Sequence, residues 1–350
     1  MKSNRLSLLL LSLLVAGSFT GCGSSDTGKP AKGKKATSIG AAAVYRSDAN
    51  VYGQAEMKAS EFAFGDLNKE ADKERFEAFT TATGLTEKDI LEAVICGSVT
   101  NLNMADLGAL TDVEALPVNF AFTLAKAVSF AQFKAGMEAL QDDPDGQYTE
   151  EAVNGTTILK MVPSDDTKPT TFGTMARDGK TAFIAFNQNE LERTLAIEQS
   201  GIAEQVSAPL HAAFTNLASS AHMRVAILLP EIVRTSIRTK INEAKEDAGP
   251  LGGMLFGVFE PFVQMQSIGV ASHFSTNLVL DVVGDMQDPE NAAKAKAGMI
   301  VVTGMLQGML MGGPDAPSIN LGEAMKSEAR GKFLNLTINM PKDVAAAVAP

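Results

Sequence analysis

The dipeptide Asn154-Gly155 limits what this chain can become more than any other local feature. It lies between two strand-like runs, Tyr148–Val153 and Ile158–Val162, and Asn-Gly there favours the type I′ turn of a two-residue hairpin. A second hairpin follows, from Thr171–Ala176 through Arg177-Asp178-Gly179-Lys180 to Thr181–Phe186. Asn189 then opens a helix with Leu191 and Leu195 turned inward. The middle of the chain is therefore an antiparallel meander with a helix behind it.

Around this centre the apolar period switches repeatedly between two and 3.6. Val51–Met57 reads as a strand, followed by a helical stretch through Glu61-Phe62 to Phe76 and Phe79 that Gly84 ends; Thr86 begins a short turn. Ile90–Val99 and Pro117–Leu124 are the next strands, and Ser129 caps a helix with Phe130, Phe133, Met137 and Leu140 on one stripe. Later, Met223–Leu229 is a strand and Pro230 suits the first turn of a helix bearing Val233, Ile237, Ile241 and Ala244 on one side. Ile268–Phe274 and Asn277–Val283 form a candidate hairpin, Asp288-Pro289 starts another helix, and Phe333–Met340 is a strand with Leu334, Leu336 and Ile338 on one face. The order predicts an α+β fold of two βαββαβ-like repeats, antiparallel sheets flanked by helices, with an extra hairpin in the first half. The boundary falls near Leu217–Ala221, which gives a first unit over 41–219 and a second over 220–350.

The start of the chain has a different character. Lys2 and Arg5 precede an apolar run, Leu6–Ala16, too short to span a bilayer, and small and polar residues follow. The run ends at Phe19-Thr20-Gly21-Cys22, which resembles the lipobox of bacterial lipoproteins. That resemblance implies a signal peptide over 1–21, acylation of Cys22 and an N-terminal lipid anchor, with residues 22–40 as a flexible, lysine-bearing linker. It also implies a cell-envelope location, and Gly23, rather than Asp, after the cysteine is compatible with an outer-membrane site facing the periplasm. With Cys22 acylated, Cys96 is the one remaining thiol, so stability must come from packing; its apolar strand context suits a buried, inert side chain. The body weakly resembles uncharacterised bacterial envelope proteins built from repeated α+β units. The resemblance rests on Thr83-Gly84-Leu85-Thr86-Glu87-Lys88-Asp89-Ile90 and on Arg177 to Ala185, and it implies a fold type and no activity.

Apolar residues make up 45% of the 350 and charged residues 20%, which excludes disorder along the whole chain. Residues 41–350 carry 24 basic against 40 acidic side chains, a balance of −16 that repels phosphate backbones, so no nucleic-acid partner is expected. Nucleophile-elbow, zinc-protease, paired Cys-x-x-Cys and dinucleotide-loop motifs are absent from the sequence, and His211, His222 and His273 suit no local metal pair. Gly179-Lys180-Thr181 imitates a phosphate loop, but Gly173 leaves one residue too many between the glycines and a strand follows. Asp142-Asp143-Pro144-Asp145-Gly146 imitates a calcium loop, yet aligning Gly146 puts Gln141 and Ala152 where the loop needs Asp and Glu. Catalytic residues, metal and cofactor are accordingly not assigned.

Residues 297–314 are uncharged, with Gly304, Gly308 and Gly312 four apart on one helical side, where another backbone can approach. A core helix packed on the sheet is the main reading and a membrane span the alternative. Leu251–Phe259 is also rich in Gly, Met and Phe. If the two segments face each other, Met254, Phe256, Met299, Met305 and Met309 could line an apolar pocket. The leading functional expectation is a non-catalytic envelope lipoprotein that binds a protein partner or organises the envelope. The alternative is a periplasm-facing carrier of a hydrophobic ligand such as acyl chains, and a hydrolase assembled from distant residues ranks third.

Overall fold

The computed structural model of the chain describes residues 38–56, 70–98, 117–140, 143, 145–165, 169–247, 257–274, 277–310 and 320–341. Those up to Ser207 form one compact unit and those from Ala208 onward a second. Each is α+β, and every strand pairing described within them is antiparallel.

The first unit runs β1 (Val51–Glu56), α1 (Glu70–Thr83), β2 (Ile90–Gly97), β3 (Val118–Leu124), α2 (Phe130–Leu140), β4 (Gln147–Val153), β5 (Thr156–Val162), β6 (Thr171–Met175), β7 (Thr181–Ala185) and α3 (Gln188–Ser200). Its strands lie in the order β1-β2-β3-β7-β6-β5-β4. The Asn154-Gly155 hairpin forms as its sequence demands: the two residues have φ of 49° and 78°, and Val153 faces Thr156. Ser129 caps α2 reciprocally with Gln132, whose N–H donates to Ser129 Oγ at 3.3 Å while Gln132 Oε1 accepts from the Ser129 N–H at 3.1 Å. Gly136 lets α2 approach α1, since a Cβ there would stand 2.4 Å from Thr83 Cγ2. The α3 helix begins one residue earlier than expected because Asn187 is the cap, its side chain accepting from the Asn189 N–H at 2.9 Å. Between α2 and the sheet lies an apolar cluster built on Phe120, Phe133, Met137, Leu159, Ile184 and Phe186. On the other face sit α3 and the 3-10 turn Gly40–Val44. With both faces covered, every residue of β6 and β7 is buried.

The second unit runs α4 (Ala208–Thr215), β8 (Met223–Leu228), α5 (Glu231–Asp247), a 3-10 turn (Glu260–Gln264), β9 (Ser267–Phe274), β10 (Asn277–Asp285), α6 (Pro289–Leu310), the short α7 (Leu321–Ala324), β11 (Met325–Arg330) and β12 (Phe333–Pro341). Its strand order is β8-β9-β10-β12-β11. One face packs on α6 through Met286, Ala292, Ala295 and Leu334. The other receives α4, whose Leu210, Ala213 and Phe214 are buried together with Leu217 beyond it. Among the elements that stand outside the sequence expectation are α4 and β11. The helix α4 packs on β8 and β9 and so belongs to the second unit, ahead of the expected boundary at Leu217–Ala221. The strand β11, Met-Lys-Ser-Glu-Ala-Arg, lacks a run of large apolar residues and is held as a strand by its ladder to β12.

Candidate functional site

The α6 helix sends its side chains in two directions. Ala292, Ala295 and Met299 point to the core, whereas Asn291, Lys294, Gly298 and Val301 line a cleft of about 650 Å³. Gly257, Val258, Glu260 and Pro261 line it from the preceding segment. Gly298 permits this approach: a Cβ there would lie 2.6 Å from the Val258 carbonyl oxygen. Apolar and polar residues share the walls, Val258, Pro261, Ala297 and Val301 beside Glu260, Gln264, Asn291 and Lys294, and the charged groups engage neighbours, Lys294 with Glu290 at 2.7 Å and Glu260 with Lys245 at 3.5 Å. Val301 is 45% exposed and Ile300 next to it 64%.

The two glycine-rich segments thus meet at Gly298, not along the expected stripe, for the position a Cβ would take at Gly304 faces open space. Of the five residues expected to line a pocket, Met299 lies against the core cluster. Met254, Phe256 and the side chains of Met305 and Met309 lie outside the described residues, as do Cys22 and the linker to residue 37. Among the described residues no helix is long and apolar enough to cross a membrane.

A second collection of chemistry sits on the sheet face beside α4. The cross-strand register puts Lys326, Thr337, Asp281, Ala271 and Arg224 in one row over β11, β12, β10, β9 and β8. Asp281 Oδ1 accepts from Thr337 Oγ1 at 2.6 Å, and its other oxygen lies 3.4 Å from His273 Nε2. His273 and His222 bring their rings to 6.1 Å between centroids. Burial, and then the neighbouring His273, hold the His222 pKa below the usual imidazole value. Arg224, buried, stacks 4.3 Å above the Phe214 ring of α4. A groove of about 580 Å³ runs along the open part of this face, lined by Asn216, Asp281, Lys326, Arg330, Asn335 and Thr337. Sequence spacing hides this gathering, because 51 residues separate His222 from His273 and only the β8–β9 register joins them. Among the described residues no group of three or more His, Cys, Asp or Glu side chains could hold a metal ion.

In the first unit the polar chemistry is turned inward. Arg46, 1% exposed, donates to the carbonyls of Ala43 and Tyr45 at 2.9 and 2.8 Å and to Thr194 Oγ1 at 2.6 Å. Its Nε lies 3.5 Å from Glu190 Oε2, which also accepts from the Asn119 side-chain amide at 3.0 Å. Burial lowers the Arg46 pKa, with Glu190 opposing the shift. Glu204 accepts from the Ser47 N–H and hydroxyl at 3.0 Å each, and Arg193 reaches Asp48 at 3.1 Å. These bonds staple residues 46–48 to α3 and the segment after it. Cys96 is fully buried, and burial pushes its thiol up to about 12, so it stays protonated at neutral pH.

No family model matches this chain, and no curated protein matches it. A solved structure described as "Structure of crystal form I of TP0453" aligns over 90% of this chain and 98% of that one, at 8% identity and a TM-score of 0.39.

Proposed function

We propose that the protein is a lipid-anchored envelope module whose second unit carries a hydrophobic ligand, such as an acyl chain, in the cleft along α6. The observation that carries the reading is that cleft: its volume falls within the roughly 300–1,000 Å³ of small-molecule sites, and Val258, Pro261, Ala297 and Val301 give it apolar surface beside polar groups. Phe19-Thr20-Gly21-Cys22 supplies the anchor, residues 22–40 the tether, and Gly23 favours the outer membrane facing the periplasm. Several acyl chains on one cysteine hold firmly, since each buried CH₂ contributes about 0.8 kcal/mol.

Two measurements test this. Cells fed radioactive palmitate should label the wild-type chain and not Cys22→Ser; an unlabelled wild type ends the anchor reading. The delipidated full-length protein should take up a fluorescent fatty acid, and Val301→Asp should lose that uptake; equal uptake by both removes the cleft as carrier. A protein-binding module is the second reading, favoured by the exposed Ile300 beside the cleft and Ile202 in the first unit, 67% exposed.

We also read the two units as copies of one plan. Strand, helix, strand, strand, helix recurs as β1-α1-β2-β3-α2 and β8-α5-β9-β10-α6. In each, the third strand then pairs with the last strand of a closing hairpin, β7 or β12. The β4–β5 hairpin is the addition in the first unit. This parallel order of pairing supports duplication.

A further inference from the structure

We propose that the polar groove on the α4 side of the second unit's sheet binds a small zwitterion of the short-peptide class, with its carboxylate on Lys326 and its ammonium group on Asp281. The site lies on the face opposite α6 and is separate from the acyl-chain cleft.

The groove exists because coverage of this face is partial. Over β8 and β9 the same-face residues Arg224, Ala226 and Ala271 are buried, and Gly269 is small enough that the Ala213 carbonyl would lie 3.2 Å from a Cβ there. Farther along, β12 and β11 present Asn335, Thr337, Lys326, Glu328 and Arg330 on that face, all polar. Asn216, just past α4, closes one side, and about 580 Å³ lies between.

The charges in the groove are not equivalent. Arg330 is engaged by Glu328 at 2.8 Å, so that pair is internally neutral. Lys326 has no ion-pair partner among the described residues. Asp281 is fixed from two sides, by the Thr337 hydroxyl and by His273, which holds the carboxylate in place and leaves it part-exposed, its side chain at 24%. An anion alone would meet Lys326 but be opposed by Asp281 in the same row, and a cation alone would meet the reverse. A molecule with both charges satisfies both ends.

Spacing sets the size. Lys326 and Asp281 are two strands apart in register, and with strands about 4.7–4.9 Å apart their attachment points are separated by about 10 Å. An extended dipeptide, at roughly 3.3–3.6 Å per residue, spans about 7 Å between its charged ends. The flexible lysine stem takes up the difference, and the Asn335 and Asn216 amides can hydrogen-bond the peptide group between.

The test is isothermal titration of the full-length protein with alanyl-alanine, its N-acetyl derivative and its C-terminal amide. The plain dipeptide should bind, and each blocked form should bind at least about tenfold more weakly, a difference of about 1.4 kcal/mol. Lys326→Ala should abolish the preference for the free carboxylate alone. Asp281→Asn, which keeps an acceptor for Thr337 and so preserves the ladder, should abolish the preference for the free ammonium alone; circular dichroism confirms that each variant is folded. Absence of heat with dipeptide at about 10 mM, where even a weak site is half-filled, would overturn the proposal. Equal binding of all three compounds, or unchanged preferences in both variants, would do so as well.

Discussion

The two units use the same kinds of element and bury them differently. In the first, helices lie on both faces of the sheet, β6 and β7 are buried throughout, and ionic groups such as Arg46 and Glu190 are consumed in fastening one segment to another. In the second, the eight-residue α4 covers only part of one face, and β11 alternates between half-buried and exposed positions. Polar groups there end in an open groove instead of a staple. The difference teaches that helix length over a sheet decides whether cross-strand polar rows become structural or available to ligands.

The sharpest way to break this comparison is to cut the staple. Arg46→Ala strips a buried ion from its partners and should cost about 3–5 kcal/mol. Hydrogen exchange followed peptide by peptide should show the loss in residues 38–56 and α3. Next in size is Leu217→Ala, at 3% exposure against Gly269, expected to cost about 2–3 kcal/mol, the lower part of the usual range because a partly covered face can close on the gap. Urea unfolding measures it, and a cost above that of Arg46→Ala would reverse the ranking of the two units.

Smaller effects should be common to both units. Gly155 and Gly331 sit at hairpin tips with φ of 78° and 57°, and at each a Cβ would meet nothing within 4 Å. Alanine at either position should therefore cost only the backbone strain of a left-handed residue, about 1–2 kcal/mol, and nearly the same amount in each thermal melt. Unequal costs would mean that the tips feel their different cores.

Acid should then separate the units by range rather than by amount. His222 has a folded pKa below its unfolded value of about 6.5, so the stability its neutral form contributes is present above that pH and is lost as pH falls toward the lowered folded value. Asp89 shifts in the same direction but in a lower pH window. The Thr86 N–H, then Lys126 and the Thr86 hydroxyl, hold its carboxyl at about 2, so its contribution is intact above the unfolded value of about 3.9 and is lost only as pH drops from there toward 2. Peptide-level exchange across pH 7 to 3 should show β8 and β9 loosening first, and His222→Gln should remove that early phase. Simultaneous loosening of the Thr86–Asp89 turn would contradict it.

Much of the fold was legible before any tertiary information. Asn154-Gly155, the Ser129 cap, Gly84 at the end of α1 and Asp288-Pro289 at the start of α6 each act through their own backbone preference, and each stands where the pattern put it. The strand β11 carries its signal in the two-residue Gly331-Lys332 turn rather than in apolar alternation; a glycine with positive φ in first place fits the type II′ tip. The helix α4 leaves a similarly faint trace, being too short for its period to show.

The candidate sites were less legible. The sequence marks out two glycine- and methionine-rich segments without saying whether they face each other, and which residues of α6 face the cleft follows from packing: the Met286–Leu334 core takes Met299, leaving Gly298 and Val301 to the cleft. The histidines and Asp281 meet only through strand register, and register is a property of the paired sheet. What the sequence determined alone is therefore everything a few neighbouring residues can enforce: turns, caps, amphipathic faces, the lipobox-like start and the acidic balance. Which distant side chains share a face, and which faces stay uncovered, was decided only by the tertiary structure, because those choices depend on strand order and helix coverage, and no local preference encodes either.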